Sequence, residues 1–512
     1  HVLRPGVPRH IYRDLLTASN YAKWIGKNSL GHTHLKSNFF NAEQMLEKGV
    51  QGRDLGRFGE SLLAPGRWVW WYNGHPALGK LLNDYTDAWL ADTLRATKSK
   101  PAGVIPSAVQ FQTDELFTDG QASPGVLDLF VTAYLMTGDR KYLEPVRLAL
   151  EKKEALSGAK WALNNSKPFV DYRLLTGDKT FDKQFYEMSE EAYERTLRGD
   201  GFFQRGFEYV EGQALYRWVI DRKEDDLIEL LKYVIRNNRR GFYAYTWTDP
   251  PTDRVNPWGR DPLAVAMLGG RVFNFRWSMP LPTAAFAWQD TDPDVVSLVL
   301  ENKADGLTML VHNFKDKPVQ PGMRALRLAE GTYRLSTAPC KAGGREPAGA
   351  PREEQVELRR FTPLRLSLAP GTTWIKLDLA KARPLVARPD LAVTLAAPKD
   401  ASGKVTARVH NLGGAASPES VVRLVDKTGK ALAEAKAPAL KPLDGFEPRF
   451  ADLAIAAPAG AGLDGARLVA DPDNRVDEVN ESNNDYPLSA GVPPPVETQK
   501  PPYAQTEKVV RW

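Results

Sequence analysis

A multidomain chain, helical first and antiparallel β afterwards, is the fold class the sequence predicts, on three observations. One helical-hairpin unit is spelled twice, from Leu127 as LDLFVTAYLMTGDRKYLEPVRLALE and from Phe169 as FVDYRLLTGDKTFDKQFYEMSEEAY. Of the 13 tryptophans only Trp374 and Trp512 lie beyond Trp288, so the composition shifts sharply there. Past that point VVSLVLENK, LTMLVHNF, GTYRLSTA, EQVELRR, PLRLSLAPG and TTWIKLDLA are short runs separated by Gly, Pro and Asp, which is how antiparallel strands read.

In the first hairpin unit, Leu129, Val131, Ala133, Tyr134 and Met136 precede Gly138, and helical spacing resumes with Tyr142, Leu143, Val146 and Leu150. Gly138 and Gly177 suit the left-handed residue that ends a helix, and Asp139 and Asp178 suit capping of the next one. Weaker echoes surround Gly74 and Asp221. A single hairpin cannot bury its own apolar face, so the units must stack as a solenoid or close into a toroid. The expectation for residues 1–289 is an α/α-hairpin toroid.

At 512 residues the chain exceeds one core and calls for several domains. Lys plus Arg number 68 against 63 Asp plus Glu, a balance of +5 with no basic run, so no nucleic-acid partner is expected. Cys340 is the only cysteine, which rules out an internal disulfide and cysteine-built zinc sites. No apolar run is long enough to span a bilayer. The sequence starts at His1 without a signal peptide, and it is expected to be a processed or excised piece of a longer product.

The second expected unit is an antiparallel β domain over 290–380, followed by the Pro-bearing hinge LAKARPLVARPD. A third, Ala-rich unit over 390–488 contains DLAVTLAAP, then KVTARVHNLGGAASPESVVRLVD with alternating Val405, Ala407 and Val409. It closes with DPDNRVDEVNESNNDY, where Asn474, Glu478, Asn480, Glu481, Asn483 and Asn484 suit side chains that hydrogen-bond local backbone. On these residues, about one fifth of the chain, the unit resembles the cell-adhesion-related bacterial domain called CARDB. That resemblance implies an immunoglobulin-like β-sandwich and an extracellular, cell-surface or periplasmic setting. Asp471, Asp473, Asp477, Glu478 and Glu481 also admit a calcium reading, although their spacing departs from the EF-hand pattern and favours a structural turn. Residues 489–512 read as a Pro-rich extended tail.

A helical toroid followed by an antiparallel β domain, roughly residues 1–380, is similar in layout to several polysaccharide lyases and glycoside hydrolases. The likeness carries over no catalytic residue, so candidates rest on side-chain chemistry. In LGHTHLKSNFFNAEQM, His32 and His34 face one side if the segment is extended, where they suit a divalent cation or a base with its orienting partner. Core histidines satisfied by hydrogen bonds fit the same pattern. Asn164, Asn165 and Tyr172 offer amide donors and a phenol for β-elimination beside a uronate, or a helix cap. Glu208 and Glu211 stand three apart, and glycoside hydrolysis needs a second carboxylate such as Asp114, Glu115 or Asp119 across the bond. Arg67, Trp71, Tyr72, Trp247 and Trp258 suit sugar stacking and carboxylate binding, or equally hairpin packing.

The functional expectation is a secreted or cell-surface protein that binds, and if it is an enzyme cleaves, a polysaccharide, acidic in the favoured case. Its catalytic candidates are His34, Asn165, Tyr172 and Glu211, and its substrate-binding candidates are His32, Arg67, Trp71, Tyr72, Asn164, Trp247 and Trp258. No cofactor is predicted beyond a divalent cation admitted by the histidines. The alternative is a non-catalytic structural or adhesive component of a filament or surface layer, with self-association or cell-surface partners.

Overall fold

The computed structural model describes residues 5–39, 46–56, 59, 62–119, 122, 124–151, 167–184, scattered positions between 218 and 232, 265–270, 281–289, 294–384, 386–397, 404–458, 460 and 462–494. Asn164, Asn165, Glu208, Glu211, Trp247 and Trp258 lie outside them, as does the tail from 495.

Helices come first, as expected. Helix α1 (Pro8–Ala18) opens on a proline, whose missing N–H costs nothing at a helix start, and buries Ile11, Leu15 and Ala18 on one face. A short turn, α2 (Tyr21–Trp24), leads into the hairpin β1 (Ile25–Lys27) and β2 (Thr33–Leu35). Helix α3 (Ala64–Asn73) stops at Gly74 in the left-handed region, φ 73°. The His75 side chain then accepts from the Leu78 N–H and caps α4 (Pro76–Leu94), so the Gly74 echo is a true helical hairpin. Along α4 the buried positions Leu78, Leu82, Tyr85, Trp89 and Asp92 form one stripe, and its last member is a carboxylate. Strands β3 (Arg53–Asp54), β4 (Ala108–Gln110) and β5 (Leu116–Phe117) make a small antiparallel sheet beside it.

The repeated Thr-Gly-Asp turns share one hydrogen-bond scheme. After α5 (Pro124–Thr137), the Thr137 hydroxyl donates to the Ala133 carbonyl and accepts from the Asp139 N–H. The Asp139 carboxylate then accepts from the Lys141 N–H and starts the 3-10 turn that leads to α6 (Glu144–Glu151). After α7 (Lys167–Thr176), Thr176 bonds Tyr172 and Asp178 in the same way, and Asp178 accepts from the Thr180 N–H. Gly138 and Gly177 sit at φ 71° and 70°, the left-handed conformation for which glycine carries no side-chain penalty.

From Phe286 onward the chain is antiparallel β. Strand β6 (Phe286–Gln289) joins β9 (Gly322–Ala325) and β12 (Leu364–Arg365) in one sheet. The other, in the order β11-β10-β13-β8-β7, comprises β7 (Val295–Asn302), β8 (Gly306–Asn313), β10 (Gly331–Pro339), β11 (Arg352–Leu358) and β13 (Gly371–Ala382). Both contribute to one core that includes Phe286, Met309, Met323, Tyr333 and Leu377.

The C-terminal part also has two sheets, β14-β15-β18 and β17-β16-β19-β20, built from β14 (Leu391–Ala397), β15 (Lys404–Asn411), β16 (Ser420–Val425), β17 (Ala431–Ala437), β18 (Phe450–Ala456), β19 (Arg467–Ala470) and β20 (Asp485–Pro487). Val405, Ala407 and Val409 are fully buried on alternate positions of β15 and meet Val422, Leu424 and Leu468 from the other sheet.

The three parts share polar and apolar contacts. Phe361, Leu412 and Leu443 belong to the same buried cluster as the helices. Tyr72 of α3 donates to the Asp390 carboxyl at 2.6 Å, and the Asn480 and Asn483 amides reach Tyr72 at 3.4 and 3.5 Å and the Pro5 and Gly6 carbonyls at 3.2 Å. Tyr12 of α1 bonds His410 Nδ1 at 2.9 Å, and His75 Nε2 meets the Gly445 carbonyl at 3.1 Å. Burial pushes Asp390 up to about 7 against the pull of Tyr72 and Asn483. Burial, reinforced by Asp390, also raises Glu478, while burial beside Arg408 lowers His410 to about 3.

Candidate functional site

The β1–β2 hairpin, the C-terminal end of α4 and the β4–β5 turn converge on one cluster. In the hairpin turn, the Asn28 side-chain oxygen accepts from the Leu30 and His32 N–H groups, which fixes the approach to β2. His34 pairs with Gly26 across the hairpin and is fully buried, whereas His32, one residue before β2, keeps 26% of its side chain exposed. Their rings lie 6.3 Å apart on the same side, as an extended segment requires. Asp92 arrives on the buried stripe of α4, and Asp114 stands in the β4–β5 turn at φ 59°, a conformation uncommon outside glycine.

Behind His34, five donors converge on Asp54. They are the N–H groups of Leu35 and Gly56, the Tyr85 hydroxyl, the Trp89 indole and His34 Nδ1, at 2.9 to 3.2 Å. Asp54 therefore acts as a carboxylate that orients the imidazole and directs Nε2 away from itself. In front, His34 Nε2 is 3.0 Å from Asp92 Oδ2 and 4.0 Å from Asp114 Oδ1. His32 Nδ1 is 3.2 Å from Asp114 Oδ1 and 3.5 Å from Asp92 Oδ1. Arg95, the residue after α4, bonds Asp92 at 2.9 Å and also pairs with Asp114, which accepts from Asn28 as well. Burial opposes a charge on His34, but Asp54 and Asp92 outweigh it and hold the imidazole up at about 9.

One ligand atom from each of His32, His34, Asp92 and Asp114 lies within 4.8 Å of the others. Two imidazoles and two carboxylates are a donor set for a divalent cation, and the partly exposed His32 beside Asp114 is a place to move a proton.

Of the sequence candidates, the structure brings together His32 and His34 with Asp114, which the sequence offered only as a partner for Glu208 or Glu211. Tyr172 lies in α7, where its hydroxyl donates to Asp178 within the Thr-Gly-Asp turn, and burial with that carboxylate pushes the phenol up to about 12. Arg67, Trp71 and Tyr72 are buried in α3. Trp71 packs edge-on against Trp68 and Phe361 beneath the Arg360 guanidinium, and Tyr72 is spent on Asp390, so neither ring offers a face to a sugar in this arrangement. Sequence reasoning passed over Asp54, Asp92 and Arg95. The signal for Asp92 was present, because a carboxylate in step with Tyr85 and Trp89 on an apolar stripe needs a buried partner.

The C-terminal carboxylates are engaged otherwise. Asp471 accepts from the Val476 N–H, Asp473 pairs with Arg423 and Arg475, and Asp477 pairs with Arg359 and Arg383. Glu481 pairs with Arg359 and Glu478 accepts from the Leu391 N–H, so these residues form a braced structural turn.

Residues 388–487 match the family model described as CARDB, so the C-terminal part is a CARDB domain. No curated protein matches the chain. A solved FMN-binding beta-glucuronidase from Facaelibacterium prausnitzii is 13% identical over 35% of this chain and 31% of its own, with a TM-score of 0.12. A solved bacterial orthologue of human α-L-iduronidase is 12% identical over 39% of this chain and 46% of its own, also with a TM-score of 0.12. The chain thus spans less than half the length of either, and superpositions this poor carry no argument about fold or activity. Among the described residues, no helix is long and apolar enough to cross a membrane.

Proposed function

We propose that this chain works outside the cytoplasm as a cell-surface protein that binds an acidic polysaccharide through its helical part, with the CARDB domain as its adhesive module. In this reading the helical hairpins belong to a toroid, and the cluster beneath His32 forms part of its glycan-handling face. The observation that carries it is the open edge of that cluster, where a partly exposed imidazole and the Arg95 guanidinium adjoin buried carboxylates. Such an edge suits a uronate, whose carboxylate needs a cation and whose neighbouring proton needs a base. Asn164, Asn165, Glu211, Trp247 and Trp258 remain candidates for the rest of the surface, and a divalent cation at the cluster would add positive charge. Cleavage by β-elimination or hydrolysis is the enzymatic extension of the same reading.

A second reading, a non-catalytic structural or adhesive component, is favoured by the CARDB match and by the docking of that domain on α1 and α3 through Tyr12 and Tyr72. One experiment separates them. The full chain is incubated with acidic and neutral polysaccharides while binding, ultraviolet absorbance of unsaturated products and new reducing ends are followed. Selective binding of acidic glycans is expected; absorbance with reducing ends would add lyase activity, and reducing ends alone hydrolysis. No binding across the panel, from a protein that assembles into ordered polymers, would sink the glycan reading in favour of the structural one.

A further inference from the structure

We propose that His32, His34, Asp92 and Asp114 form a site for one divalent transition-metal ion of the zinc, cobalt or manganese kind, with Asp54 as the positioning residue behind His34. The first ground is a buried polar pair that no hydrogen bond satisfies. Asp54 accepts from His34 Nδ1, which turns Nε2 towards Asp92 Oδ2, 3.0 Å away. Neither atom has a hydrogen-bond partner, although both side chains are completely buried. A positive centre lodged between a ring nitrogen and a carboxylate this deeply buried satisfies both, and a metal ion does so by taking the place of the Nε2 proton.

Geometry supplies the second ground. The four imidazole-to-carboxylate separations across the cluster are 3.0, 3.2, 3.5 and 4.0 Å. Bonds of about 2.0–2.1 Å to a tetrahedral ion place neighbouring ligand atoms about 3.3 Å apart, so the side chains need only small adjustments to close on one centre.

Charge and ligand type decide which ion. Asp92 and Asp114 share one guanidinium, Arg95, and Asp54 adds a third carboxylate behind His34. Lys100, also buried nearby, gives its ammonium to the carbonyls of Thr93, Pro101 and Val104. Excess negative charge therefore favours a cation, and two imidazole donors favour a transition metal over calcium or magnesium, which take oxygen ligands. The Asp54–His34 pair matches the outer carboxylate that fixes the tautomer of a metal-bound histidine. His32, partly exposed, is the ligand nearest to solvent, where a water or a glycan oxygen can compete for the ion.

This inference shares its cluster with the function proposed above, but it is tested separately. The full chain is stripped with chelator, dialysed against Zn2+, Co2+, Mn2+ or Ca2+, and assayed for bound metal and for the visible spectrum of the cobalt form. One Zn2+ or Co2+ per chain is expected, with Ca2+ far weaker. His32→Ala should weaken affinity at least tenfold, and Asp54→Asn by about 10–100-fold with an altered cobalt spectrum. If His34→Gln fails to fold, the partly exposed His32 carries the decision. A folded, stripped chain that takes up none of the transition metals overturns the proposal, as does uptake unaffected by His32→Ala. Metal uptake without glycan binding upholds this site and sinks the glycan reading; glycan binding by a chain that takes up no ion does the reverse.

Discussion

Replacing Tyr72 with Phe removes one oxygen from the contact that fastens the CARDB domain to α3. The Tyr72 hydroxyl donates to Asp390 at 2.6 Å in a fully buried site. A hydrogen bond to a neutral partner contributes about 0.5–1.5 kcal/mol and one to a charged partner about 1.5–3 kcal/mol. Asp390 changes between those states at about 7, since burial raises its carboxyl above the ordinary value of 3.8. For such a group the native state holds the extra proton, so its contribution to stability is greatest in acid and is lost as pH rises towards 7 and beyond. Tyr72 restrains that loss by favouring the carboxylate. Tyr72→Phe should therefore cost about 1 kcal/mol near pH 5 and about 2–3 kcal/mol near pH 8.5. Urea unfolding followed by tryptophan emission reports on it directly, because Trp71 packs on Phe361 beside the contact. A deficit that is the same at both pH values, or no deficit, would refute this view of Asp390.

His410 works in the opposite sense. Burial beside Arg408 depresses its pKa from 6.5 to about 3, so the unfolded chain takes up a proton first and stability falls as pH drops through that window. The deficit of His410→Gln relative to the parent, measured by the same urea titrations, should shrink steadily below about pH 6.5. Leu424→Ala, at a fully buried position where the two CARDB sheets meet, should cost about 2–5 kcal/mol and lower the unfolding midpoint of that domain. Gly138→Ala should cost only about 1–2 kcal/mol, because open space surrounds the added carbon and only the left-handed backbone resists. Gly6→Ala should cost more in thermal unfolding, because its new carbon would meet Tyr72, Asn480 and Asn483.

Local patterns made much of this architecture legible. Each Thr-Gly-Asp turn holds its own capping bonds within a few residues, so Gly138, Asp139, Gly177 and Asp178 could be placed from spacing alone. The same holds for the alternation of Val405, Ala407 and Val409. The cluster was half visible. An extended His32 and His34 pair was the sequence reading, but Asp54, Asp92 and Asp114 come from 20 to 82 residues away, and only tertiary packing joins them. Spacing alone offers Tyr72 as a sugar-facing ring, because nothing local reveals its partner Asp390, 318 residues further on. The Asn480 and Asn483 segment, read as bonding to its own backbone, also reaches Pro5 and Gly6 at the other end of the chain.

The most direct test of the cluster as a functional centre is anomalous diffraction from crystals of the stripped full chain soaked in Zn2+, recorded on both sides of the zinc edge. One peak is expected among His32 Nδ1, His34 Nε2, Asp92 and Asp114, about 2.0–2.2 Å from each ligand atom. Diffraction that shows no zinc there, with Arg95 still bridging Asp92 and Asp114 and both imidazoles bonded only to carboxylates, would contradict it.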